Sequence, residues 1–327
     1  MLRLPRFDYL RPGSASDAAR MLADHPGRAM LVAGGTDLLP KMKRRQMQPE
    51  VLIGLSHVAG LHEVRSTPAG GIELGAAVTL TAVLHHDKIG VTHPGYAQAA
   101  GLVSSPALRN AGTIGGNLCI DTRCNLYDMT EEWREAIGFC LKTGGDACRL
   151  AMSSPRCWAV SSSDTAPIAI ALGATAVLAG PAGEREVPVG SLYRDDGIDH
   201  LAKAPDEVLT SLRLPPPGGW RSAYVKLRRR QSFDFPIAAA AVAVKLDGNV
   251  VEDCRIVLGA VASHPVEVAA AGTLAGRKLD DGAIAEVAVL AAKPAKPLDN
   301  TDMYYVWRKR MVKVIVERAL REAAGLS

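Results

Sequence analysis

AMLVAGGTDLL, residues 29 to 39, and LRNAGTIGGNL, residues 108 to 118, are the two stretches from which the rest of the chain is read. In the first, the short apolar run from Ala29 to Ala33 has the composition of a strand and ends at once in Gly34-Gly35-Thr36-Asp37. A strand feeding a Gly-Gly turn presents unhindered backbone N–H groups, and such nests bind phosphate oxygens without a side chain. A tight turn with no ligand is the plain alternative. The second stretch carries another such turn, Thr113-Ile114-Gly115-Gly116-Asn117. Two of them can grip the two phosphates of one dinucleotide from opposite sides. Neither matches GxGxxG after a strand, so a Rossmann nicotinamide site is not supported.

Outward from these turns the chain reads as a globular α+β protein. Its 327 residues suffice for two or three domains with real cores, and 48% hydrophobic with 22% charged residues is ordinary for them. A net charge of +4 is too slight to imply a nucleic-acid partner. There is no signal-type apolar region at the start and no run of about 18 apolar residues, so a cytoplasmic protein without a membrane span is expected. Ser14–Asp24, Thr79–His86, Gly95–Val103 and Asp164–Gly173 read as helices; Val51–Leu55, Ile72–Ala77, Ala174–Ala179 and Glu207–Leu214 read as strands. Lys41 to Arg45 (KMKRR) reads as a solvated charge run. Pro215-Pro216-Pro217-Gly218-Gly219 is the clearest linker. Beyond it, Ala223–Leu227, Ala238–Leu246 and Val250–Leu258 suggest an antiparallel meander, followed by helices at Val266–Leu274, Asp281–Ala292 and Thr301–Ala324. Basic residues interleaved in the last helix, Arg308 among them, read as a snorkelling surface face.

Four of six cysteines fall between Cys124 and Cys157, at 124, 140, 148 and 157, in a stretch with little apolar periodicity that reads as a long loop. Disulfides are rare in a reducing cytosol, so clustered thiols point to a metal or cluster. Four thiolates suit a 4Fe-4S cube, and Zn2+ takes the same four in a tetrahedron. Structural zinc sites usually show short C-x2-4-C knuckles, whereas the nearest pair here, Cys140 and Cys148, is separated by seven residues. Buried thiols without a metal are the third reading. Trp133, Phe139 and Trp158 either shield such a cluster or form the small core of the loop.

AGGTDL at 33 to 38 and TIGGN at 113 to 117 resemble the two FAD-binding signatures of the flavin subunit in the xanthine dehydrogenase and carbon monoxide dehydrogenase family. Lys226 to Ile237 (KLRRRQSFDFPI) is similar to the opening of that family's C-terminal domain, and YYVWRKR at 304 to 310 to its final helix. The resemblance implies a two-part FAD-binding domain, residues 1–56 and 57–217, with a C-terminal domain of antiparallel sheet and helices at 218–327. It further implies that Ala33, Gly34, Gly35, Thr36, Asp37 and Leu38 hold the FAD pyrophosphate from one side, and Thr113, Gly116 and Asn117 from the other. Val103 would pack on the flavin or its chain, Asp164 would contact the FAD, and Lys226 would lie near the flavin. For Asp164 and Lys226, a helix cap and a solvated strand lysine are the plain alternatives.

Ordinary members run from TIGGN almost directly into the segment that here starts near Asp164. The block between, from about 120 to 160, resembles the insertion of the 4-hydroxybenzoyl-CoA reductase branch. That resemblance implies an extra 4Fe-4S cluster with Cys124, Cys140, Cys148 and Cys157 as ligands, leaving Cys119 and Cys254 as packed thiols. It implies an electron-transfer subunit that takes electrons from a ferredoxin-type donor through the cluster and FAD to 2Fe-2S clusters on a small partner and a molybdopterin-type molybdenum cofactor on a large one, for reductive dehydroxylation of 4-hydroxybenzoyl-CoA. The alternatives are a molybdenum hydroxylase or dehydrogenase that oxidises an aromatic or N-heterocyclic substrate, and a zinc-stapled FAD-binding scaffold.

Overall fold

A computed structural model describes residues 2–230 and 232–326. It contains three sheets. The first is parallel, with Val51–Gly54 in the centre between Asp8–Leu10 and Ala29–Val32. The second is antiparallel, in the spatial order Val64–Ser66, Ile72–Gly75, Val208–Leu214, Thr175–Gly180 and Gly183–Pro188. The third joins Trp220–Leu227, Ala238–Asp247, Val250–Gly259 and the short Val266–Glu267, all antiparallel.

The strand Ala238–Asp247 shows how the third sheet is locked in place. Side chains alternate across a strand. Ala239, Ala241 and Ala243 pack into the same core as Tyr96, Ala100 and Ile168, on the helices Pro94–Leu102 and Thr165–Ala171. Ala238, Ala240, Val242 and Val244 pack into another, with Val312, Ile315 and Ala319 of the helix Tyr305–Ala324. Both faces of the sheet are therefore covered, which explains why its middle strand is nearly all small residues. The same packing fixes the third sheet against the helix pair that flanks the second glycine stretch.

Three expectations are corrected here. Val266–Leu274 is a two-residue strand followed by a 3-10 helix at Ala269–Leu274, because Val266 and Glu267 extend the sheet edge along Val257 and Leu258. The last helix starts at Tyr305 rather than at Thr301. Arg308 is not on a solvated face but fully buried. Its guanidinium donates to the carbonyls of Ile237 (3.0 Å), Leu298 (2.7 Å) and Ala260 (2.6 Å) and to Asn300 Oδ1 (3.0 Å). Burial lowers its pKa to about 10. Arg308→Met would keep the volume and leave those acceptors unpaired. Charge-assisted bonds are about twice as strong as neutral ones and unpaired buried acceptors are costly, so the variant should lose roughly 3 kcal/mol of unfolding stability in urea titrations.

Candidate functional site

The strand Ala29–Val32 ends just before Gly34, and the helix Leu38–Lys43 begins just after Asp37. The turn between them is pressed directly onto the second glycine stretch. A Cβ at Gly34 would lie 1.9 Å from the Ala111 carbonyl oxygen, so no other residue fits there. Gly35 has φ +69°, a left-handed conformation that glycine adopts without strain. In the second stretch, Thr113 caps the short helix Ile114–Leu118, its Oγ1 accepting from the Gly116 N–H at 3.1 Å. Here the sequence reading of a turn gives way to a helix start. Gly115 is required for its own reason: a Cβ would come within 2.9 Å of the Ala76 carbonyl oxygen. Asn117 Oδ1 accepts from Ser163 Oγ (2.9 Å), Thr165 N (3.1 Å) and Thr165 Oγ1 (2.7 Å), tying this helix to the one at Thr165–Ala171.

Between the two stretches runs a groove of about 870 Å3, within the usual size range of cofactor and ligand sites. Ala33, Gly34, Gly35, Thr36, Asp37, Leu38, Val103, Thr113, Gly116, Asn117 and Asp164 all line it. Lys226 does not. Its buried Nζ reaches Asp164 Oδ2 and the Leu102 carbonyl, each at 2.9 Å, while Tyr224 donates to Asp164 Oδ1 at 2.8 Å. Asp164 therefore presents a held carboxylate rather than a helix cap, with no side-chain bond to the helix it precedes. Burial raises its pKa, against the opposing pull of Lys226.

Further wall residues were not singled out in the sequence. Ser162 and His200 line the groove, and the buried Ser162 Oγ and His200 Nε2 have no hydrogen-bond partner among the described residues. Such orphans are costly unless a ligand satisfies them. Burial lowers the pKa of His200, so its imidazole is suited to a neutral hydrogen-bonding role. Phe233, Asp234 and Phe235 enter the groove from the C-terminal sheet, with the Phe235 ring 4.2 Å from the Arg123 guanidinium. Phe233 (φ +75°) donates its N–H to the carbonyl of Ser104 (φ +43°) at 3.2 Å, so two strained non-glycine residues clasp the rim. No spacing rule marks Ser162 or His200, which come from loops that meet only in the fold.

The block after TIGGN is closed at its base by paired backbone bonds, Arg123 N to Val160 O (2.8 Å) and Val160 N to Arg123 O (2.7 Å). It is less irregular than expected, containing the helix Glu131–Ala136, capped by Thr130, and a 3-10 turn at Leu141–Thr143. It docks onto the helix after the first glycine turn: Arg123 pairs with Asp37, Lys41 with Asp121, and Arg134 donates to the Arg44 carbonyl at 3.0 Å. Lys41 is wholly buried, contrary to the solvated reading of KMKRR. On the other side, Asn300 Nδ2 donates to the Trp158 carbonyl at 2.7 Å, joining the block to the C-terminal domain.

Inside the block, Cys124, Cys140, Cys148 and Cys157 are all buried and line one small cavity of about 10 Å3, together with Leu126, Tyr127, Leu141, Lys142, Arg149, Leu150 and Ala159. Trp133, Phe139 and Trp158 are not among its walls; Trp158 instead stacks with the Arg156 guanidinium at 3.6 Å. Burial pushes the Cys124 thiol up to about 11 and Cys157 to about 12, and the neighbouring cysteines push in the same direction. The backbone N–H of Ala159 donates to the Cys157 sulfur at 3.4 Å. Among the described residues, no three His, Cys, Asp or Glu side chains are grouped as a single metal ion requires. Cys119 lies apart in the wall of the large groove, and Cys254 is buried in the C-terminal core.

Residues 5–217 match the family model described as the FAD binding domain in molybdopterin dehydrogenase, and residues 222–323 match that of the CO dehydrogenase flavoprotein C-terminal domain. The chain belongs to this flavoprotein family. Among its relatives, the aldehyde oxidoreductase FAD-binding subunit of Escherichia coli K12 is 30% identical over 95% of this chain and 98% of its own. The carbon monoxide dehydrogenase medium chain of Afipia carboxidovorans is 30% identical over 97% and 96%. A solved CO dehydrogenase from Oligotropha carboxidovorans superposes with a TM-score of 0.82 at 29% identity, covering 99% of this chain and all of that one. The flavoprotein is thus an oxidoreductase subunit of mixed α+β architecture. Among its described residues, no helix is long and apolar enough to cross a membrane.

Gly34→Ala tests the junction between the two glycine stretches most sharply. The added methyl must separate them, so the purified variant should fold but lose most of its flavin, read as the ratio of released flavin to protein. Full retention would show that the groove tolerates their separation.

Proposed function

We propose that this chain is the FAD-carrying electron-transfer subunit of a molybdenum hydroxylase or dehydrogenase complex, and that its cysteine block holds a 4Fe-4S cluster beside the flavin. One observation carries the second part: four cysteines spread over more than thirty residues line a single buried cavity. The donor set fits. Four thiols, with a backbone N–H on the Cys157 sulfur, are surroundings in which iron-sulfur cubes are held and tuned. The thiols surround a space rather than converge on a point, which favours a cube over zinc.

In the groove, the two glycine stretches hold the pyrophosphate of FAD from opposite sides, and Ser162 Oγ and His200 Nε2 gain ligand partners. Asp164, positioned by Lys226 and Tyr224, receives a hydroxyl or N–H of the cofactor. Phe233 and Phe235 exclude water from the rim. Bound there, a flavin supplies the chemistry that joins one-electron donors or acceptors to a two-electron reaction. Substrate is transformed on a molybdenum-cofactor large subunit, reached through 2Fe-2S clusters on a small one.

The activities of its aldehyde oxidoreductase and carbon monoxide dehydrogenase relatives support an oxidative complex over the reductive one. The thiol cavity is the specific observation that keeps the second reading: electrons from a ferredoxin-type donor flowing toward molybdenum for 4-hydroxybenzoyl-CoA dehydroxylation. Turnover of the purified complex in each direction separates the two.

The cluster is tested by metal analysis after anaerobic purification. About four irons with acid-labile sulfide are expected, and Cys148→Ser should lose iron while keeping FAD. One zinc without iron, or unchanged iron in the variant, would contradict the ligand assignment.

A further inference from the structure

The groove and the thiol cavity share a partition that is unusually charged. Lys41 follows the first glycine turn, and its buried ammonium pairs with one oxygen of Asp121. The other Asp121 oxygen accepts from Lys142 Nζ at 2.6 Å; Lys142 Nζ also donates to Thr122 Oγ1 at 2.6 Å and to the Gly197 carbonyl. The three charged side chains are no more than 10% exposed. Both ammonium groups lie 4.9 Å from the centre of the Tyr127 ring. Asp121 lines the flavin groove, while Tyr127 and Lys142 line the thiol cavity. Burial alone would raise the Asp121 carboxyl, but Lys142 and then Lys41 hold it well below the usual carboxylate range.

A structural ion pair needs one cation for one anion. Burying a second ammonium is costly unless something nearby balances it. The nearest candidate is the cavity that Lys142 itself lines, because a cube bound by four thiolates carries net negative charge. From these positions we infer that Lys41, Asp121 and Lys142 form a charge bridge that raises the reduction potential of the cluster. This rests on the cluster reading above. A buried positive charge is weakly screened and stabilises the state with one more electron, and cluster potentials respond to net charge around the sulfurs. Lys41, Asp121 and Lys142 are thus tuning residues and take no part in bonding to iron.

The test is a redox titration of the anaerobically purified holo-complex, followed by the paramagnetic signal of the cluster, with iron and FAD content measured for each protein. Lys41→Met should lower the midpoint potential and Asp121→Asn should raise it, each by about tenfold in the one-electron equilibrium, or about 59 mV. Lys41→Arg, which keeps the charge, should restore the starting value. Should Lys41→Met fail to accumulate, the direction of the Asp121→Asn shift decides. Unchanged potentials, or shifts of the same sign in both variants at wild-type iron content, overturn the charge bridge while leaving the cluster in place. Wild-type protein without iron overturns the cluster reading and the bridge with it.

Discussion

The contact between Gly34 and the Ala111 carbonyl is the point on which the molecule turns. Two backbone segments, almost eighty residues apart in sequence, meet with no room for a methyl group between them. That approach sets the width of the groove and places both glycine stretches in its walls. The rest of the fold holds the two segments still. The parallel sheet carries the first as a strand exit, and the helix Thr165–Ala171 grips the second through Asn117. The C-terminal sheet, packed on both faces, backs that helix.

The cysteine block is built onto this frame rather than hung from it. Its contacts with the helix Leu38–Lys43 begin within a few residues of the glycine turn, and its base is closed by a two-bond bridge. Asn300 ties its far side to the same network that satisfies Arg308. Whatever the block binds is therefore rigidly placed relative to the groove. For single-electron exchange between two centres, fixed separation matters more than strength of attachment.

Much of this was legible in the sequence because it rests on local rules. Gly-Gly after an apolar run, alternating strands and the proline linker each depend on a few adjacent residues. The four cysteines of the block stood out by their clustering, and all four line one cavity. What escaped was long-range. Lys41 sits in a run of charges that looks solvated until Asp121 is brought against it, and Arg308 looks like a snorkelling residue until four acceptors surround it. Ser162 and His200 have no neighbours in sequence to mark them. Lys226, expected near the flavin, stands behind the groove wall with its ammonium on Asp164, a pairing that no sequence spacing marks. The misread segment Val266–Leu274 failed for the same reason, since its pairing partner lies in another strand.

The most direct measurement is crystallographic: anomalous scattering at the iron edge from crystals of the anaerobically purified complex. A compact group of iron peaks bounded by Cys124, Cys140, Cys148 and Cys157, with flavin density along the groove between Gly34 and Gly116, is the expected result. A single zinc peak among those thiols, or thiols with no metal and a flavin bound elsewhere, would contradict it.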